Sequence, residues 1–256
     1  MYMIPYHFGL TLYEEAITLN IRSHAIREPV AVLIHVHGFL EDFSDDQPGW
    51  YNFYRRVEAF APLNIANYAL EFRNHGESTL RRTSETTFED YIRDLHGLVE
   101  FLKIKHLNLP LHLLGCGMGG TIGILYQQQL GGLVSLVLVE PFLGVYIPDD
   151  TTIIPTMDPV LSLYFALAKN IIAALKRLHG HVFEMTLPVC AFHGKLDVLA
   201  CSKATENFMT GLSSPVTKYF VLNSASHMLR DASDLTTAFV TQQTLTWLAE
   251  RLLELS

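Results

Sequence analysis

Three cysteines in 256 residues, Cys116, Cys190 and Cys201, are too few and too unevenly spaced for a disulfide framework, and none forms a C-x-x-C pair. A reducing, cytoplasmic setting is the expectation. Positive charge is scarce as well: 18 Lys plus Arg stand against 26 Asp plus Glu, a formal charge of −8, and no basic run marks a nucleic-acid footprint. Nucleic acid is therefore not an expected partner. Long apolar runs are missing too. Leu107 to Val139 carries no Asp, Glu, Lys or Arg, but Asn108, Pro110, His112, a glycine cluster and Gln127 to Gln129 interrupt it. Nothing approaches the roughly 18 apolar residues that cross a bilayer. Met1 to Leu12 lacks the basic and then apolar regions of a secretory signal.

What the chain has is apolar mass, with 49% hydrophobic residues and a length that suits one α/β domain. Val/Ile/Leu-rich runs recur at Val30–Val36, Ile65–Phe72, Leu109–Leu114, Val134–Val139, Val189–Phe192 and Lys218–Leu222, and these read as buried strands. Between them, Phe88, Ile92, Leu95, Val99 and Leu102 repeat at helical spacing, behind a capping box formed by Thr86 and Glu89. Alternating strands and helices predict an α/β fold, a doubly wound and mostly parallel sheet covered on both faces. From Phe142 to Met185 the rhythm fails. Asp158 and Pro159 open a helix running from Val160 to Leu178 that is apolar round most of its circumference. The expectation is a core of residues 1–142 and 186–256 with a helical cap inserted at 143–185.

In such sheets ligands bind beyond the carboxyl ends of the strands. Four strand ends carry candidate chemistry: His37-Gly38-Phe39, Gly115-Cys116-Gly117-Met118-Gly119, His193-Gly194-Lys195-Leu196-Asp197, and Ser224-Ala225-Ser226-His227. With Phe72-Arg73-Asn74-His75-Gly76-Glu77-Ser78, this ordered set resembles the α/β-hydrolase superfamily, and within it the monoacylglycerol lipase and lysophospholipase group of serine hydrolases. The resemblance covers nearly the whole chain. It implies ester hydrolysis without a cofactor, with Asp197 as triad acid, His227 as triad base, and the N–H groups of Phe39 and Met118 as oxyanion donors.

The departure is at the centre, where the family's Gly-x-Ser-x-Gly elbow has Gly117 in the serine position. An acyl-enzyme needs oxygen or sulfur there. Cys116 is a candidate substitute, although one residue early sends a side chain to the opposite face of a strand, where it reads as a buried thiol. Thr121, one turn into the next helix, reads as packed. Three readings stay open: a pseudoenzyme that binds an acyl or small apolar ligand, an esterase in which His227 activates water, and a serine esterase whose serine has been replaced. Leu161, Tyr164 and Phe165 resemble a lipase lid, which implies an apolar pocket and a peripheral contact with membrane.

Metal is not expected. Two His-x-His pairs, His35 with His37 and His179 with His181, lack a carboxylate or cysteine at ligand spacing. Glu41, Asp42, Asp45 and Asp46 read as solvated surface. Trp50, Tyr51, Phe53 and Tyr54 read as core.

Overall fold

A computed structural model describes residues 6–12, 15–43, 52–80, 86–144, 173–229 and 233–255. Eight strands form one sheet: β1 (Tyr6–Leu12), β2 (Ile17–His24), β3 (Ala31–Val36), β4 (Ile65–Leu70), β5 (Leu111–Cys116), β6 (Ser135–Val139), β7 (Val189–Gly194) and β8 (Thr217–Leu222), in the order β1-β2-β4-β3-β5-β6-β7-β8. From β4 through β8 neighbouring strands are parallel, whereas β1 with β2 and β2 with β4 are antiparallel. The six runs read from the sequence are six of these strands, and the fold is the α/β-hydrolase fold.

The strands are apolar throughout because both faces are covered. On one face pack α2 (Phe88–Lys105), α3 (Met118–Gln129), α4 (residues 173–180) and α5 (Ser202–Gly211); on the other pack α1 (Phe53–Phe60) and α6 (Asp234–Leu255). Strand β5 shows the division. Leu111 and Leu113 enter the cluster with α2 and α3, while Leu114 and Cys116 enter the cluster with Trp247 and Leu248 of α6.

Three expectations shift. The capping box at α2 is Thr87 with Asp90, one residue later than Thr86 and Glu89, with Asp90 accepting from Thr87 N at 2.7 Å. Thr86 instead accepts from the Asn74 side chain at 2.7 Å. The β1–β2 hairpin is absent from the sequence reading because β1 is exposed and its apolar residues only alternate. Glu41 is a correction: it is buried, and its Oε2 accepts from Gly38 N at 2.8 Å, so it braces a loop instead of facing solvent. Asp45, Asp46, Trp50 and Tyr51 lie outside the described residues, as do Leu161, Tyr164 and Phe165; Phe53 is buried and Tyr54 packs beside it.

Of the expected insertion, only its ends are described. Ala174 and Leu178 of α4 are buried in the main core, and Gln128 of α3 donates to the Leu178 carbonyl at 3.0 Å. Residues 173–180 are thus packed on the main core. No helix among the described residues is long and apolar enough to cross a membrane.

Candidate active site

Because β3, β5, β6, β7 and β8 are parallel neighbours, the loops that follow them emerge along one edge of the sheet. Those loops carry the candidate residues.

The elbow comes first. Gly117 links the last residue of β5 to the first of α3 at φ +49° and ψ −119°, a conformation that glycine adopts without strain and that an L side chain rarely takes. Its N–H donates to the Val139 carbonyl at 3.0 Å, and its own carbonyl accepts from Phe142 N at 3.0 Å. The turn is therefore clamped to the end of β6 on both sides. A Cβ built at 117 would make ordinary van der Waals contact with Gly38 Cα at 3.5 Å. The oxyanion loop and the elbow thus face each other. Met118 is the first residue of α3, so its N–H precedes the helix's own acceptors and lies at the positive end of the helix.

The loop carrying Phe39 is held from below. His37 Nδ1 donates to the Gly38 carbonyl at 2.6 Å, and Nε2 accepts from Phe72 N at 3.1 Å, which fixes the tautomer. Burial, aided by the neighbouring His75 ring, pushes the His37 pKa down to about 3, so the ring stays neutral. His75 packs edge-on to Phe39 at 5.9 Å between ring centroids. The Arg73 turn does not join the site. Its guanidinium is buried against Asp94 (2.6 Å) and Glu15 (2.7 Å), and Ser78 Oγ donates to the Glu71 carbonyl.

The acid–base corner is assembled. His227 Nδ1 lies 2.7 Å from Asp197 Oδ2, the arrangement in which an aspartate orients an imidazole and leaves Nε2 for other work. Asp197 is placed with care: His193 Nε2 lies 3.2 Å from Oδ2, and the N–H groups of Leu199 and Ala200 donate to Oδ1, each at 2.8 Å. Burial alone would push this carboxyl up, yet the hydrogen bonds from His193, His227 and Ala200 hold it well below the usual carboxylate range.

Cys116 has another role. It is buried, 3.9 Å from the Arg56 guanidinium, and burial pushes its thiol up to about 12. A thiolate is the nucleophilic form, and the buried position of Cys116 in the cluster with Trp247 and Leu248 fits the reading of a structural thiol that the sequence favoured over a substitute nucleophile. Thr121 is likewise occupied, its hydroxyl donating to the Phe142 carbonyl at 2.6 Å.

The His-x-His pairs are separated by their contacts: His35 bonds Asn67, His179 bonds the Leu143 carbonyl, and His181 pairs with Glu184. Among the described residues, Glu140, Asp197 and His227 offer ligand atoms within 4.8 Å of one another. The 2.7 Å separation of Asp197 and His227 is a hydrogen bond. Two ligands on a tetrahedral ion with bonds near 2.0 Å stand roughly 3.3 Å apart. This pair is spaced to share a proton.

Glu140 is the residue that the sequence reading missed. It follows β6 directly, and its strand end is a position where ligands and chemistry gather in such sheets. That was the available signal.

Comparison with known proteins places these features in a lineage. Residues 27–166, more than half of the chain, match the Hydrolase_4 family, described as serine aminopeptidase, S33. A monoacylglycerol lipase of Mycolicibacterium smegmatis is 26% identical over 113 residues, covering 44% of this chain and 38% of that protein. The monoglyceride lipase of Homo sapiens is 22% identical over 226 residues, covering 74% of this chain and 75% of that protein. Among solved structures, the Paleococcus ferrophilus monoacylglycerol lipase superposes with a TM-score of 0.70 at 15% identity, covering 97% of this chain and 100% of that one. Est1E from Butyrivibrio proteoclasticus, solved with ferulic acid bound, gives a TM-score of 0.70 at 18% identity, covering 94% and 99%. At these identities the structural likeness is one of fold.

Proposed function

Since the chain belongs to the α/β-hydrolase family described as serine aminopeptidase S33 and is related to monoacylglycerol lipases, we propose that it is a hydrolase scaffold that binds an acyl or small apolar ligand without forming an acyl-enzyme. One observation carries this reading: position 117 has the positive-φ backbone expected of a nucleophile elbow, at φ +49° and ψ −119°, but no side chain. Such a backbone is strained for any L side chain, and turns of this kind cluster at functional sites. The N–H groups of Met118 and Phe39 are the oxyanion donors in this proposal, and they polarise a ligand carbonyl without opening it. On this reading the apolar residues Leu161, Tyr164 and Phe165, which lie outside the described residues, are those expected from the sequence to meet an acyl chain or lipid.

A second reading is favoured by the intact Asp197–His227 pair. An imidazole held by a carboxylate deprotonates water as well as serine. In this reading the protein is a slow carboxylic ester hydrolase.

The test is hydrolysis of a short and a long p-nitrophenyl ester by the protein itself, by Gly117→Ser and by His227→Ala, with fluorophosphonate labelling in parallel. The binding reading expects labelling and turnover only in Gly117→Ser. Ester hydrolysis by the unmodified protein, abolished in His227→Ala, establishes the activated-water reading instead. No labelling in Gly117→Ser refutes the elbow as a serine hydrolase scaffold.

A further inference from the structure

Glu140 is a buried carboxylate at an awkward place in the backbone. Its φ is +48°, in the left-handed region that glycine and asparagine occupy at lower cost than a long side chain. Replacing it with glycine would relieve the backbone. The carboxylate must therefore contribute something that offsets the strain, and its partners show what.

Oε1 accepts from Gly194 N at 3.2 Å, at the end of β7, three residues before Asp197. Oε2 accepts from Leu229 N at 3.1 Å, two residues after His227. One side chain thus spans the turn that carries the acid and the turn that carries the histidine. Its own backbone N–H donates to the Phe192 carbonyl of β7 at 2.8 Å, and the residue before it, Val139, accepts from the elbow N–H. Gly194 is shaped to this arrangement: a Cβ there would meet Glu140 Oε1 at 2.7 Å and the Ala225 carbonyl at 2.4 Å.

Leu229 itself is held at φ +50°, so the histidine turn is also strained where Glu140 grips it. Two strained residues joined by one charge-assisted hydrogen bond mark a geometry that the surroundings impose.

We propose that Glu140 is the positioning residue of the site, a clasp that ties the Asp197 turn to the His227 turn and both to the elbow. In hydrolases of this kind the serine hydroxyl engages the outer nitrogen of the histidine. Here no side chain at 117 can do so, and the clasp keeps the pair in register without it. Glu140 acts through Asp197 and His227; the proposal gives it no contact with substrate. It rests on the reading of those two residues as the acid–base pair.

The test uses Glu140→Gln, which keeps the shape and accepts one backbone hydrogen bond while turning an N–H against the other. Proton NMR reads the pair directly, because a proton shared over 2.7 Å by imidazole and carboxylate resonates far downfield; its absence in His227→Ala assigns it. The expected result is loss or broadening of that resonance in Glu140→Gln with the amide spectrum of the sheet retained. Hydrogen exchange at Gly194 and Leu229 should accelerate at least tenfold. Glu140→Asp, which keeps the charge but is one methylene shorter, should free one of the two amides.

An unchanged downfield proton together with unchanged exchange in either variant overturns the proposal. So does rapid exchange of both amides in the unmodified protein, a measurement that stands even if the variants fail to fold. In the Gly117→Ser background, Glu140→Gln should lower kcat about tenfold with KM unchanged. Failure of Gly117→Ser to gain activity sinks the hydrolase-scaffold reading and leaves the clasp to be judged by the exchange and NMR results.

Discussion

The elbow and the acid–base corner stand along one edge of one sheet and differ in what they present. At the elbow the backbone is all there is: Gly117 holds a positive-φ conformation and presents no side chain. At the corner everything is retained, from the 2.7 Å bond between His227 and Asp197 to the three further donors on the aspartate. The difference teaches that the two regions are held by different forces. The elbow is held by backbone hydrogen bonds to the end of β6 that need no particular side chain. The corner is held by side chains, each of which would relax if its partner were lost.

The strongest way to sharpen this contrast is to restore the missing atom. If only the nucleophile is absent, Gly117→Ser should raise p-nitrophenyl ester turnover by about 10³-fold or more, since serine loss alone costs about 10⁶-fold in a comparable site. Adding Asp197→Asn should then abolish a gain of about 10³-fold, because presenting the wrong imidazole tautomer to the serine costs about 10⁴-fold. If the double variant kept the turnover of Gly117→Ser, the corner would be a structural relic. Single-turnover kinetics with a long-chain ester separates the two outcomes.

Acid should break the corner and spare the elbow, which has no titratable side chain. Asp197 is held below its ordinary range, so it contributes stability that is present above pH ~4 and is lost as pH falls below that value. Buried neutral histidines act at higher pH. Burial depresses His37 to about 3 and His112 to about 4, so their contribution is complete above pH ~6.5 and is lost as pH falls from there towards those values. Each adds a slope of ~1.4 kcal/mol per pH unit between the unfolded and folded values. Urea unfolding between pH 4.5 and 7.5 should show stability falling on the acid side. A flat profile would mean that the histidines charge inside the fold.

How much of this was legible beforehand follows the same division. Buried parallel strands write themselves as Val/Ile/Leu runs, and Gly115 to Gly119, Asp197 and His227 stand at their carboxyl ends. Tertiary contacts without a periodic signature were not legible. Glu41 reads as one of four surface acids until Gly38 N is found against it. Glu140 reads as the polar end of a strand until two distant backbone amides converge on it. A hydrogen bond across 89 residues leaves no local pattern.

Gly117→Ser should also cost stability, by about 1–3 kcal/mol, because a Cβ must then adopt the left-handed backbone. A Cβ there makes only ordinary contact with Gly38 Cα, at 3.5 Å, so at that atom the cost is torsional and not steric. Chemical denaturation at pH 7.5 measures it. A more stable Gly117→Ser would show that the turn relaxes in solution, and the contrast between a preserved backbone and lost chemistry would fail.

The smallest effect is expected one residue away. Cys116 and Gly117 are adjacent, yet the strand alternation sends the thiol into the cluster with Trp247 and Leu248 while a Cβ at 117 would meet Gly38. Cys116→Ala should therefore cost about 1 kcal/mol in lost packing and leave the ester turnover of Gly117→Ser unchanged. Its thiol, pushed up to about 12, should resist maleimide at pH 7 until the protein unfolds. Fast labelling in the native state, or activity lost with the sulfur, would move Cys116 from the core into the site and make the two neighbours one functional unit.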